Sequence, residues 1–211
     1  MIAIIDYSAG NLQSIYNAFE ALGEDVIITK DPSKLKDAKA IVLPGVGAFR
    51  DGINNLRDMG FVEALNEEIM QKKKPYLGVC LGLQFLAEKS LEHGEYEGLG
   101  WIKGAVKKIE PNDRKFKIPH MGWNDIKITK DSALFNGLVD EPVFYFVHSY
   151  YLDVDENEVV SSTCWHGQDI TASVQKDNIF AVQFHPEKSQ GAGLKVLKNF
   201  IEFVNRSEKD A

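Results

Sequence analysis

"KPYLGVCLGLQFLAEK", residues 74–89, decides the fold. The run 75–79 is short, apolar and bounded by a proline, so it reads as a buried strand. Residues from Cys80 to about Leu91 read as a helix. Between the two, Gly78, Cys80 and Gly82 take the glycine–nucleophile–glycine spacing of a strand-to-helix elbow. Glycines belong there because the turn is tight and side chains at 78 and 82 would meet the neighbouring strand or helix. Such a bend puts the thiol at the carboxyl end of a sheet, where open α/β folds place their sites. The positive end of the following helix favours thiolate over thiol. A free cysteine is also among the most buried residue types, so the elbow alone does not settle its role.

Moving outward, the N-terminal half alternates strands and helices. "IAIID" (2–6), "DVIIT" (25–29) and "AIVLPG" (40–45) read as strands. Residues 11–23 put Leu12, Ile15, Phe19 and Leu22 on one helical face, and Gly23 ends them. A short helix is expected over 31–38, and a helical stretch over 49–72 broken near Gly60. After residue 100 the segments become strand-like, with Gly, Asn and Asp between them, until an amphipathic helix closes the chain. The order implies an α/β single domain: an open, mainly parallel, flavodoxin-like sheet with helices on both faces and an antiparallel β extension. The domain is expected over residues 1–206, with a C-terminal tail at 207–211.

Bulk properties narrow the function. The 211 residues are 44% hydrophobic and 26% charged, enough for one well-buried domain. A net charge of −7 argues against nucleic acid or an anionic membrane as partner. The Lys72-Lys73-Lys74 run reads as a solvated helix end. No segment is long enough to span a bilayer, and the N-terminus lacks the features of a signal peptide. Two cysteines make no disulfide framework, which points to a reducing, cytoplasmic setting.

A thiol nucleophile needs a base and a group to orient it. Among five histidines, His185 stands just past the apolar run 179–184, followed by Pro186 and Glu187. In an extended segment, residues 185 and 187 project to one side. Glu187 can then hold one imidazole nitrogen and leave the other for Cys80. Acyl transfer also needs backbone donors for the developing oxyanion. "LPGVGAF" (43–49) leaves the same sheet edge as Cys80, so the Val46 and Leu81 N–H groups are the candidates. It lacks the lysine of a phosphate loop. His93 reads as a surface residue at a helix end. Cys164 and His166 could face one metal, but two ligands make a poor site, and neither a metal nor a cofactor is expected.

With "PGVGAF", "GVCLGLQ" and "QFHPEKS" in this order, the chain resembles the class I (triad-type) glutamine amidotransferases over nearly its whole length. That resemblance implies hydrolysis of the glutamine side-chain amide by Cys80, His185 and Glu187. It implies substrate contacts from Gly47, Gln84, Glu92, His148, Ser149 and Tyr150. Among such enzymes, the chain looks like a glutaminase subunit of amino-acid biosynthesis that forms a heterodimer with a (β/α)8 cyclase subunit. By that likeness Asn11, His120, Met121, Trp123, Asn124, Tyr145 and Lys188 would face the cyclase. A paralogue feeding a different synthase, such as one for sugar amination, and a cysteine hydrolase on the same architecture are the alternatives.

Overall fold

The structure is a computed structural model and describes residues 1–10, 12–139 and 141–210, the side chains of Lys209 and Asp210 excepted. The N-terminal half alternates as its sequence pattern requires. Strand β1 (Ile2–Ile5) leads to helix α1 (Leu12–Ala21), β2 (Val26–Thr29) and β3 (Ala40–Gly45). Asp31 caps a 3-10 helix at Pro32–Asp37 between β2 and β3. Helix α2 (Phe49–Asp58) stops before Gly60, whose φ of 75° restarts the chain as α3 (Phe61–Leu65). A π turn, Asn66–Gln71, ends this segment. In the lysine run beyond it Lys72 and Lys73 are exposed as expected, and Lys74 is not. Lys74 pairs with buried Glu68 at 2.8 Å and donates to the Leu35 and Lys36 carbonyls, tying the segment's end to the 3-10 helix.

Strand β4 (Tyr76–Cys80) then turns into α4 (Leu81–Gln84). The helix expected to reach Leu91 is this single turn. The chain is taken instead into β5 (Ala87–Ser90), which pairs with β6 (Tyr96–Glu97) and β7 (Ile102–Lys108) and buries Ala87 and Ser90. Sheet pairing here overrides helical composition. There follow β8 (His120–Asp125), β9 (Lys127–Ile128), β10 (Val143–His148), β11 (Tyr150–Val154), β12 (Val160–Trp165), β13 (Asp169–Lys176) and β14 (Ile179–Val182). Helix α5 (Gln190–Asp210) closes the chain and takes in residues 207–210 of the expected tail.

The main sheet runs β2-β1-β3-β4-β14-β13-β12-β9. Its first five strands are parallel in the flavodoxin-like order, and the last three are antiparallel. The β extension is not one piece, however. It divides into those three strands, a β8–β10 ribbon, and the sheet β11-β7-β5-β6. Alternate residues of β1 separate two cores. Ile2 and Ile4 face the layer with Phe19 of α1 and Phe200 of α5, while Ala3 and Ile5 face Leu56 of α2 and Phe61 of α3.

Register places the chemistry. Cys80 pairs with Gly45 on β3, and Val79 pairs with Val182, the last residue of β14. The glycine loop after β3 and the histidine loop after β14 therefore leave the sheet on either side of the elbow. The elbow depends on close approach. A Cβ on Gly78 would lie 2.6 Å from the Gly82 carbonyl oxygen, and one on Gly82 would fall onto the Leu43 carbonyl oxygen of β3. Cys80 itself sits at φ 54° and ψ −105°, a strained conformation for a side-chain-bearing residue.

Gly82→Ala is expected to push α4 off β3 and lower stability by roughly 2–3 kcal/mol, read as a reduced urea midpoint at an unchanged m-value.

Candidate active site

Cys80 is buried to 6% exposure. Its sulfur accepts a hydrogen bond from Gln183 Nε2 at 3.5 Å. Two residues further on, His185 lies past β14 and is held by its own backbone. Its N–H donates to the Tyr145 carbonyl at 2.9 Å, and its carbonyl accepts from Ser189 Oγ at 2.6 Å. That hydroxyl in turn accepts from Tyr145 N–H at 3.0 Å, so the loop is pinned to β10. His185 Nδ1 meets Glu187 Oε1 at 2.8 Å. The pairing expected from sequence is present, but its geometry is different. His185 is extended and Pro186–Lys188 coil into a 3-10 turn that folds Glu187 back onto the ring.

The histidine and its carboxylate are buried. His185 and Glu187 side chains are 4% and 6% exposed. His185 Nε2 and Glu187 Oε2 are both buried without a hydrogen-bond partner. Burial works against a charged imidazole, but the Cys80 sulfur and the Glu187 carboxylate outweigh it and raise His185 to about 9. His185 is thus poised to hold a proton beside the thiol. The loop after β3 comes close from the other side. Gly45 packs on the buried Tyr7 hydroxyl, which leaves no room for a side chain there. Gly47 has a φ of 106°.

A cavity of about 420 Å³ opens over the thiol. Val46 and Gly47 line it from the β3 loop, and Cys80, Leu81 and Gln84 from the elbow. Glu92 and His93 come from the turn after β5, and Val147, His148, Ser149 and Tyr150 from the β10–β11 junction. All candidate oxyanion and substrate residues therefore share one cavity with Cys80, whereas His185, next to the sulfur, and Glu187 are not part of its lining. Glu92 is not on a helix. One of its oxygens accepts from Phe49 N–H at 2.6 Å and supplies the cap that α2 lacks from Ala48. His93 is likewise not at a helix end; it sits at φ 54° on the cavity rim. Gln84 Nε2 is engaged by the protein, donating to the Tyr150 carbonyl at 2.9 Å and to Gln183 Oε1 at 3.1 Å.

The expected partner-facing residues separate by strand parity. Met121 and Trp123 are exposed at 61% and 50%, and Trp123 stacks edge-on with Tyr145, its cross-strand neighbour. Lys188 Nζ lies 6.0 Å from the Tyr145 ring centroid. His120 is instead buried at 3% exposure, sandwiched between Phe146 and His166. It belongs to an inward chain. His148 Nδ1 lies 2.9 Å from the Tyr150 carbonyl, so it must donate. His148 Nε2 then accepts from His120 Nδ1 at 3.0 Å, and His120 Nε2 accepts from half-buried Asn124 at 3.2 Å. One tautomer each satisfies this chain, and a second proton on either ring would set donor against donor. Burial and neighbouring imidazoles accordingly lower His120 to about 3. Burial likewise lowers His148 to about 4, against the help of the Tyr150 carbonyl. Asn11 lies outside the described residues.

Sequence reasoning missed Gln183, although a lone polar residue in an otherwise apolar run was a signal. Burial pushes the Cys164 thiol up to about 12. Among the described residues, no group of three or more His, Cys, Asp or Glu is placed to hold a metal, and no helix is long and apolar enough to cross a membrane.

Comparison with known proteins places this geometry. Residues 3–203 match the family described as glutamine amidotransferase class-I. The chain is 51% identical over 201 residues to imidazole glycerol phosphate synthase subunit HisH 1 of Campylobacter jejuni, covering 95% of this chain and 99% of that one. It is 44% identical over 204 residues to the HisH subunit of Pelagibacter ubique, covering 95% and 98%. Among solved structures, one described as a glutamine amidotransferase superposes with a TM-score of 0.76 at 17% identity, covering 97% of this chain and all of that one. A putative GMP synthase subunit from Thermoplasma acidophilum superposes at 0.74 and 20% identity, covering 99% and 95%.

The buried histidines set a pH dependence of stability. An unfolded histidine takes up its proton near pH 6.5, whereas His148 in the fold waits until about pH 4. The unfolded chain therefore binds more protons in between, and stability falls as pH drops through that window. His185 works oppositely: its contribution is full below pH 6.5 and is lost as pH rises through about 9. His148→Gln can keep the bonds to Tyr150 and His120 without titrating. It is expected to flatten the acid limb by on the order of 2 kcal/mol at pH 4.5, measured as unfolding free energy against pH beside the unaltered protein.

Proposed function

Because the chain belongs to the class-I glutamine amidotransferase family, we propose that it is the glutaminase subunit of an imidazole glycerol phosphate synthase. It hydrolyses glutamine to glutamate and ammonia and hands the ammonia to a separate cyclase subunit in histidine biosynthesis. The observation that carries the reaction is an elbow cysteine facing a cavity, with a buried His–Glu pair next to it. Near-complete coverage of relatives named for this subunit supports the pathway.

In this reading the Cys80 sulfur attacks the side-chain amide carbon of glutamine. Charge develops on the carbonyl oxygen, and the Val46 and Leu81 N–H groups stabilise it. His185 gives its proton to the amide nitrogen, the C–N bond breaks, and ammonia leaves. A glutamyl thioester remains on Cys80. His185 then takes a proton from water as the water oxygen attacks the thioester carbon; the C–S bond breaks, glutamate leaves, and His185 returns that proton to the sulfur. Glu187 keeps Nδ1 occupied so that Nε2 faces the reaction. Gly47, Gln84, Glu92 and the 148–150 junction hold the substrate. Its ammonium would need a carboxylate, and Glu92 brings one to the cavity.

Ammonia needs an acceptor held close, and a (β/α)8 cyclase in a heterodimer would meet it. The exposed face of Met121, Trp123, Tyr145 and Lys188 is the surface we assign to that partner, with the assembly in the cytoplasm.

The purified complex with its ribotide ligand is expected to form glutamate from glutamine and to pass the ammonia to the ribotide, one glutamate for each cyclisation. Cys80→Ala should cut glutamate formation by roughly a thousandfold or more while leaving cyclisation from added ammonium salts intact. Glutamine left untouched by the full complex would overturn the assignment. Trp123→Ala is expected to raise the dissociation constant for the cyclase at least about tenfold, by titration calorimetry.

A further inference from the structure

The Cys80 sulfur has a second polar neighbour besides the histidine, an amide that donates a hydrogen bond to it. Gln183 Nε2 lies 3.5 Å from it, while His185 Nε2 is buried without a partner. Gln183 has no solvent exposure. A buried amide is costly unless its polar atoms are satisfied, and Met or Leu would fill the same space without that cost. The polarity therefore calls for a use.

The orientation of the amide is fixed. Gln183 Oε1 accepts from Gln84 Nε2 at 3.1 Å, which leaves the Gln183 NH₂ toward the sulfur. A flip would set two NH₂ groups against each other and turn an oxygen toward the thiol. Gln84 cannot readily turn either, since the Tyr150 carbonyl holds the same nitrogen at 2.9 Å. The Gln183 backbone is fixed by its own N–H bond to the Ala172 carbonyl at 2.8 Å.

We propose that Gln183 is a positioning residue for the nucleophile: its N–H, aimed by Gln84, holds the Cys80 sulfur and stabilises negative charge on it before substrate arrives. Two donors then flank the sulfur, a fixed neutral one and an ionisable one. The neutral donor keeps the sulfur in place whichever protonation state His185 is in. Hydrogen bonds to a charged partner are about twice as strong as neutral ones, so this bond strengthens as the thiol ionises.

The proposal rests on Cys80 being the nucleophile, and its test reads the thiol without glutamine or partner. Alkylation by iodoacetamide is followed against pH in a Cys164→Ala background, so that one thiol reports. Gln183→Met removes the donor at similar volume. It is expected to move the alkylation profile up by about one pH unit and slow alkylation at pH 7 by roughly tenfold. In the complex, kcat should fall with KM little changed. Gln84→Met, which frees the Gln183 amide to rotate, should move the profile the same way by less, and it decides the matter if Gln183→Met does not fold. A filler role leaves both profiles in place, and folded variants with the unaltered profile overturn the proposal. A shifted profile in a protein whose full complex ignores glutamine sinks the functional assignment instead and leaves the positioning role standing.

Discussion

The structure depends on one close approach: the backbone of α4 against the carbonyl of Leu43 on β3, with no side chain between. Because Gly82 allows it, the chain can reverse within two residues and Cys80 can be held at φ 54°. Strain of this kind costs on the order of 1–3 kcal/mol and persists only where the surroundings over-determine it. Here β3 and β14 flank β4 in register, and two apolar layers close over the sheet. The stiff parallel core supplies what the bend costs, and the bend brings the sulfur to the cavity.

From that bend the electrostatics divide in two. On the side of β14 the protein gathers charge: an imidazole raised by a thiol and a carboxylate, with ring and carboxylate buried. On the side of β10 it suppresses charge: two imidazoles bonded in series, each lowered by burial. Both environments are buried, so burial alone does not set the outcome. The difference is the partner. A carboxylate beside a ring favours its second proton, and a second imidazole beside it does not.

Much of this was legible in the chain because it is local. The elbow glycines and the strand-helix alternation through β4 are sequence-neighbour effects, and each stands where its pattern places it. Three further features did not stand out in the same way. The segment after Gln84 has helical composition but joins β5 to β7, a pairing that register alone could reveal. The resemblance puts His120 at the partner face together with Met121 and Trp123, yet a strand alternates sides. The parity that exposes residues 121 and 123 buries residue 120. Gln183 was passed over because a polar residue in an apolar run gains meaning only when its partners are known.

That parity ties surface to site. The β8–β10 ribbon shows Met121, Trp123 and Tyr145 outward, and its other face carries His120, Phe146 and His148. From Asn124 the bonds run through His120 and His148 to the Tyr150 carbonyl, which also holds Gln84; Gln84 aims Gln183, and Gln183 meets Cys80. Every link has a single satisfying arrangement, so a shift at one end cannot be absorbed by a tautomer change midway without breaking a bond. A ribbon built this way is stiff in its polar contacts while its outer face stays free to meet another surface. The same two strands thus carry on one face the bonds that lead toward the Cys80 sulfur and on the other the exposed side chains of Met121 and Trp123.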